Sequence, residues 1–192
     1  MQVIFVGRSN VGKSSVLRMI TGKKIPVGKK PGVTRRINKY FLNDLVFVDF
    51  PGFGFMYGVP GRVQERVKRD LIRYIEENRE EILFGVQIID GKSFMEIVER
   101  WERRGQIPID IEFFELLEEL DLNPLLVVNK IDKIRKEKLD EVLNQICEKL
   151  GLLPPWRQWL DRFIPVSAKT GENILLLKKV IRRRIGEVGK GV

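Results

Sequence analysis

The stretch that most constrains this chain is Gly7-Arg8-Ser9-Asn10-Val11-Gly12-Lys13-Ser14. It lies between an apolar run, Gln2 to Val6, and a segment of helical periodicity from about Gly12 to Ile20. It fits Gly-x-x-x-x-Gly-Lys-Ser, a strand that turns through a glycine-rich loop into a helix. Gly7 and Gly12 let the backbone curl until successive N–H groups converge on phosphate oxygens. The helix that follows turns its positive end toward the same anion. Lys13 then reaches the outer phosphates, and the Ser14 hydroxyl can ligate Mg²⁺. With glycine near about 7% of residues, a chance match in a chain this long is roughly a one-in-a-hundred event. The residues expected to line the phosphate site are Gly7, Arg8, Ser9, Asn10, Val11, Gly12, Lys13, Ser14 and Ser15.

The remaining pattern agrees with that start. Short apolar strands alternate with longer helices, which argues for a mostly parallel sheet with helices on both faces. Arg36 to Leu42 and Asp44 to Asp49 flank an Asn43-Asp44 turn and read as a hairpin with one antiparallel strand. A helix is expected from about Arg62 to Ile82, with Val63, Val67, Leu71, Ile75 and Ile82 on one face. Phe84 to Asp90 reads as the next strand, and Gly91 to Pro108 as less regular. A helix follows from Ile109 to Leu120, then a strand buried on both faces from Leu125 to Val128. The spacing of Leu139, Val142, Leu143, Ile146, Cys147 and Leu150 predicts a helix that buries Cys147. A loop with Trp156 and Trp159, a strand from Arg162 to Val166 and a helix from Glu172 to Gly186 complete the pattern. Six strands and about five helices in this order suit a Ras-like doubly wound α/β domain over residues 1–192.

Three further motifs fall at strand ends. Asp49-Phe50-Pro51-Gly52 closes an apolar strand, where a P-loop protein places a metal-holding aspartate. Gly52 can offer its N–H to a terminal phosphate. Asn129-Lys130-Ile131-Asp132 follows the buried strand. Asp132 can accept two hydrogen bonds, from guanine N1–H and the exocyclic amino group. Adenine lacks both donors at that edge and would leave a carboxylate unpaired. Asn129 braces the surrounding loops, and the stem of Lys130 covers the ring face. Ser167-Ala168-Lys169 ends the last strand, with the Ala168 N–H available to guanine O6. Four motifs in this order select GTP and GDP over ATP. A P-loop kinase has no use for residues 129–132.

Composition excludes several classes. No histidine is present, so histidine acid–base chemistry and histidine-held metals drop out. A lone cysteine forbids an intrachain disulfide and suits a reducing compartment. No apolar run reaches the ~18 residues of a membrane span. The N-terminus lacks signal-peptide character, so a cytoplasmic, membrane-independent protein is expected. A net charge of +9 suggests an anionic partner. Abundant Lys, Arg and Glu fit a thermophile.

With these motifs in place, the chain resembles the translation-factor-class GTPases. It resembles most closely the EngB (YihA) family of ribosome-assembly GTPases. The resemblance rests on Gly-Arg-Ser-Asn-Val-Gly-Lys-Ser-Ser at 7–15, Pro-Gly-Val-Thr at 31–34 and Asp-Phe-Pro-Gly-Phe-Gly-Phe at 49–55. The family typically shows Asp-Leu-Pro-Gly-Tyr-Gly-Tyr at the last of these. Almost nothing precedes the first strand here, and 91–108 is longer than the common form. The resemblance points to an archaeal or thermophilic member, a probable monomer. It implies Mg²⁺ held through Ser14, Thr34 and Asp49, with Thr34 as the switch threonine. It assigns catalysis to Lys13, Thr34 and Gly52. Asn10 occupies a position where related GTPases help bind K⁺; the plainer reading is a local loop brace. Phe53 stands where Ras-type enzymes orient water with glutamine, so slow intrinsic turnover is expected. The implied partner is ribosomal RNA or a ribosomal subunit. Two basic regions could meet it: Lys23, Lys24, Lys29, Lys30, Arg35, Arg36 and Lys39, and Lys178, Lys179, Arg182, Arg183 and Arg184 on the last helix. The alternatives are a nucleotide-gated RNA-binding module with negligible turnover, or the GTPase domain of a transporter. Trp156 and Trp159 could stack on bases, though packing against the sheet is the simpler expectation.

Overall fold

The computed structural model describes residues 1–25, 37–52 and 61–188. Thr34, Lys29, Lys30, Arg35, Arg36, Phe53, Phe55, Met56 and Tyr57 lie outside the described residues, as does the 31–34 motif. Six strands form one sheet: β1 (Gln2–Gly7), β2 (Asn38–Leu42), β3 (Leu45–Asp49), β4 (Ile82–Asp90), β5 (Leu125–Asn129) and β6 (Phe163–Pro165), in the order β2-β3-β1-β4-β5-β6. Only β2 runs antiparallel, folded back on β3 through Asn43 in the left-handed region at φ 52°. Asparagine tolerates that conformation better than most residues.

Period-2 alternation divides β1 between two layers, as strand geometry requires. Val3 and Phe5 face α1 (Lys13–Thr21) and α6 (Ile174–Val188), meeting Val16, Leu17, Leu177 and Ile181. Ile4 and Val6 face α2 (Gly61–Asn78) and α4 (Ile109–Glu119), meeting Leu71, Ile75, Phe113 and Leu117. A third cluster packs α3 (Phe94–Glu102) and α5 (Leu139–Lys149) on the outer part of that second face, through Phe94, Val98, Leu143, Ile146 and Cys147. Each fully buried Ile or Phe contributes roughly 1.5–3 kcal/mol. The doubly wound, mostly parallel architecture expected from the sequence is present.

Two local expectations are corrected. The helix expected to Ile82 stops at Asn78, a 3₁₀ turn covers Arg79–Glu81, and Ile82 joins β4 opposite Gln2. The Asn78 amide donates to the Tyr74 carbonyl (2.8 Å), while the Gln2 amide donates to Glu81 (2.7 Å) and accepts from the Tyr74 hydroxyl (2.6 Å). Those tertiary bonds and the β1 ladder outweigh one more apolar residue at helical spacing. The stretch 91–108 contains helix α3. Its Phe94, Ile97, Val98 and Trp101 stand at i, i+3, i+4 and i+7, a signal already readable in the sequence.

Cys147 is a core residue, as expected, and burial pushes its thiol up to about 12. Trp156 packs rather than presenting a stacking platform. Its ring lies 6.1 Å from Phe163 and its indole N–H donates to Asp140 (3.0 Å).

Candidate functional site

The parallel strands end on one edge of the sheet, and the motifs at 7–14, 49–52, 129–132 and 167–169 sit there. After β1 the chain crosses to α1 on one face; after β3 it continues to α2 on the other. The crevice opened by that divergence is where ligands bind in open α/β sheets. Ladder register brings the ends of β1 and β3 together through Phe5 and Asp49, and those of β4 and β5 through Asp90 and Asn129.

Gly7 ends β1 and Gly12 precedes α1 at φ 94°, which favours glycine. A Cβ at Gly12 would also collide with the Asn129 amide. Lys13 opens the helix and is only 6% exposed. Its ammonium donates to Asp49 Oδ1 and to the Phe50 carbonyl (2.7 Å). Asp49 is fully buried, and its Oδ2 has no hydrogen-bond partner. Burial pushes the Asp49 carboxyl upward, and the neighbouring Lys13 pulls it back. Ser14, half-buried, follows in the first turn of α1. A buried carboxylate oxygen without a hydrogen-bond partner suits a hard divalent cation that also takes oxygens from phosphate. Among the described residues no cluster of three Cys, Asp or Glu side chains gathers, so protein groups alone form no cage. Gly52 lies against Ser9, whose hydroxyl donates to the Gly52 carbonyl (3.3 Å).

The base end is a pocket of about 470 Å³ lined by Gly12, Ser15, Arg18, Asn129, Lys130, Asp132, Lys133, Ala168 and Lys169. Asn129 joins the three loops: its amide donates to the Val11 carbonyl (2.8 Å) and accepts from the Ala168 N–H (3.0 Å). The Ala168 N–H, expected to face guanine O6, is thus directed to Asn129. Lys130 donates to Asp90 (2.6 Å) and to the Asn10 carbonyl, bracing the phosphate loop as well as walling the pocket. Asp132 accepts from the Ser167 hydroxyl (2.6 Å), which in turn accepts from the Thr170 N–H (3.1 Å). Ser167 lies fully buried behind the carboxylate and orients it.

Two expectations about arginine change. Arg8 turns its side chain to Asp110 on α4 (3.6 Å) instead of toward the pocket. Arg184 is buried, donating to the Asn123 carbonyl (2.5 Å) and the Asp161 carbonyl (2.6 and 3.1 Å), so it anchors α6 and leaves the basic surface. Sequence reasoning missed Asp90 and Asp110 as supports, and named Ser167 at the base site without its place behind Asp132, because no local spacing marks a partner contributed by another element. Arg18 and Lys133 line the base pocket and were also missed; Arg18 stands one turn beyond the phosphate-loop motif and Lys133 directly follows Asp132.

Residues 2–148 match the family described as 50S ribosome-binding GTPase. The chain is 51% identical over 191 residues to a probable GTP-binding protein EngB of Methanopyrus kandleri, covering 98% of this chain and 94% of that protein. It is 49% identical over 184 residues to the corresponding protein of Methanococcus maripaludis, covering 96% and 80%. A crystal structure of a probable GTP-binding protein engB superposes with a TM-score of 0.86 at 46% identity, covering 97% of this chain and all of that one. Among the described residues no helix is long and apolar enough to cross a membrane. Matched along nearly its whole length and carrying the motifs at 7–14, 49–52, 129–132 and 167–169 in order, this chain belongs to the EngB family of GTP-binding proteins.

Proposed function

We propose that this chain is a GTP-hydrolysing switch in the assembly of the large ribosomal subunit, acting through contact with ribosomal RNA. The observation that carries the reading is Asn129, which ties the phosphate loop, through Val11, to the guanine-selecting loops, through Ala168. A nucleotide read at its base is thereby registered at its phosphates.

In this reading Gly7 to Ser15 hold the phosphates and Lys13 leaves Asp49 to meet them. Ser14, Asp49 and Thr34 hold Mg²⁺, which when bound neutralises charge developing on the β- and γ-phosphates. Gly52 offers its N–H to the γ-phosphate. Lys130, Asp132, Ala168 and Lys169 line the base site, and Asn129 and Ser167 brace it. Phe53 cannot orient water, so isolated turnover is slow, on the order of 10⁻³ s⁻¹ or below. A K⁺ ion beside Asn10 or a ribosomal element supplies the missing positive charge. Single-turnover hydrolysis should rise when large subunits are added and when K⁺ replaces Na⁺. Absence of any stimulation by subunits favours the alternative of a nucleotide-gated module with incidental turnover.

The surface of α6 supports an RNA partner. From Ile174 to Gly186 it carries no acid, and Lys179, Arg182 and Arg183 are exposed. Its apolar side, Ile174, Leu177, Val180 and Ile181, is committed to the core and unavailable to a bilayer. Reversing Lys179 and Arg182 to glutamate should lower affinity for ribosomal subunits. In co-sedimentation, the dependence of log affinity on log salt should fall by roughly 1.5–2. An unchanged slope would remove α6 from the interface.

A further inference from the structure

Beside the phosphate loop, sharing only Lys130 with the base pocket, lies a cavity of about 120 Å³ that the nucleotide reading does not use. Arg8, Ser9, Asn10, Asp90, Asp110 and Lys130 are among its lining residues. Asp110 is 3% exposed and its Oδ1 is buried without a partner; Arg8 Nε is likewise buried and unpaired. The two side chains meet through Arg8 Nη1 and Asp110 Oδ2 at 3.6 Å. The Asp110 backbone is fixed independently, because the Gln87 amide of β4 donates to its carbonyl (2.6 Å). The phosphate loop is therefore held at three points: Asn129 on Val11, Lys130 on Asn10, and Asp110 on Arg8. The third is the only one of these made by an ion pair from α4, and among the described residues neither charge has another partner that would hold it if the first were lost.

We propose that Asp110 is a positioning residue for nucleotide binding: as a carboxylate it holds the Arg8 guanidinium and so fixes the phosphate loop. The inference rests on GTP and GDP binding at the cleft described above. A guanidinium cannot shed its proton, and the Arg8 side chain is 17% exposed with its Nε buried, so loss of the partner charge draws Arg8 further toward water and takes the loop with it. The charged groups facing Asp110 among the described residues are Arg8 from the loop and Asp90 from β4, itself paired with Lys130. On α4, Glu112 is paired with Lys68 of α2.

Burial pushes the Asp110 carboxyl up to about 6; Arg8 pulls it down and Asp90 adds to the rise. The sign separates binding from folding. A carboxyl raised above its ordinary value binds its proton more tightly in the folded chain, so its protonation on falling through pH 6 favours the fold. Affinity lost in that window is therefore not unfolding driven by this group. A freed Arg8 charge could instead attract phosphate, which predicts the opposite trend.

The experiment is fluorescent GDP binding to the full chain between pH 5 and 8, for the parent and for Asp110→Asn. The terminal phosphate of GDP titrates in the same range, so the difference between the two proteins is the readout. The parent should lose about fourfold more affinity than the variant between pH 7.5 and 5.2, and the variant should bind about tenfold more weakly than the parent at pH 7.5. Should Asp110→Asn fail to fold, Arg8→Met removes the pair from its other side and leaves a carboxyl free to take up a proton; its profile should show the same flattening. Parallel profiles, or tighter binding by either variant, overturn the proposal while leaving GDP binding intact. No GDP binding by the parent at any pH defeats both this inference and the functional reading.

Discussion

Asp132→Asn is expected to weaken GDP binding at least a hundredfold, a loss of about 2.8 kcal/mol, and to raise affinity for xanthosine diphosphate. The Ser167 hydroxyl holds one oxygen of Asp132 at 2.6 Å, and the Thr170 N–H holds Ser167. An asparagine carbonyl can keep that bond, which leaves its NH₂ facing the two donors of the guanine edge. Donor then meets donor in a half-buried pocket, and unpaired buried groups are what make such rejection strong. Xanthine carries an oxygen in place of the exocyclic amino group and restores a pair. Because Ser167 keeps its partner, thermal stability without ligand should change little. Calorimetry with both diphosphates provides the check, and an unaltered preference for guanine would remove Asp132 from the base site.

The second large effect is expected at Lys13. Methionine there keeps the length of the side chain but leaves Asp49 buried without its cation and the Phe50 carbonyl without a donor. Removing one partner of a buried ion pair costs roughly 3–5 kcal/mol. Burial already raises the Asp49 carboxyl, so proton uptake places the cost toward the lower end. For a chain of this size the thermal midpoint should fall on the order of 10 °C. GDP affinity should fall more than a hundredfold, since the same ammonium is the phosphate-binding charge. A destabilised variant that still bound GDP normally would assign Lys13 to the scaffold alone.

These two residues also mark how far the sequence could be read. Lys13 and Asp132 announced themselves because the chemistry around each is local: a glycine loop before the lysine, an apolar strand before the aspartate. The hairpin of β2 and β3 was legible for the same reason, a short turn between two apolar runs. By contrast, the helix drawn through Ile82 failed because helical periodicity cannot register a rival strand. Ile82 lies opposite Gln2 in the sheet, and that ladder decided its state. Arg184 looked like one more surface charge until the loops carrying Asn123 and Asp161 came within reach of it.

By itself, then, the sequence determined the class of fold, the phosphate loop and the base that the site selects. Each of these follows from backbone conformation or hydrogen-bonding character within a few consecutive residues. Only the tertiary structure decided which groups stand behind them: Ser167 behind Asp132, Lys130 on Asp90 and Asn10, Asp110 behind Arg8. Those partners are set by strand order, since β1 lies between β3 and β4, and a buried polar group must be satisfied by whatever that order brings beside it.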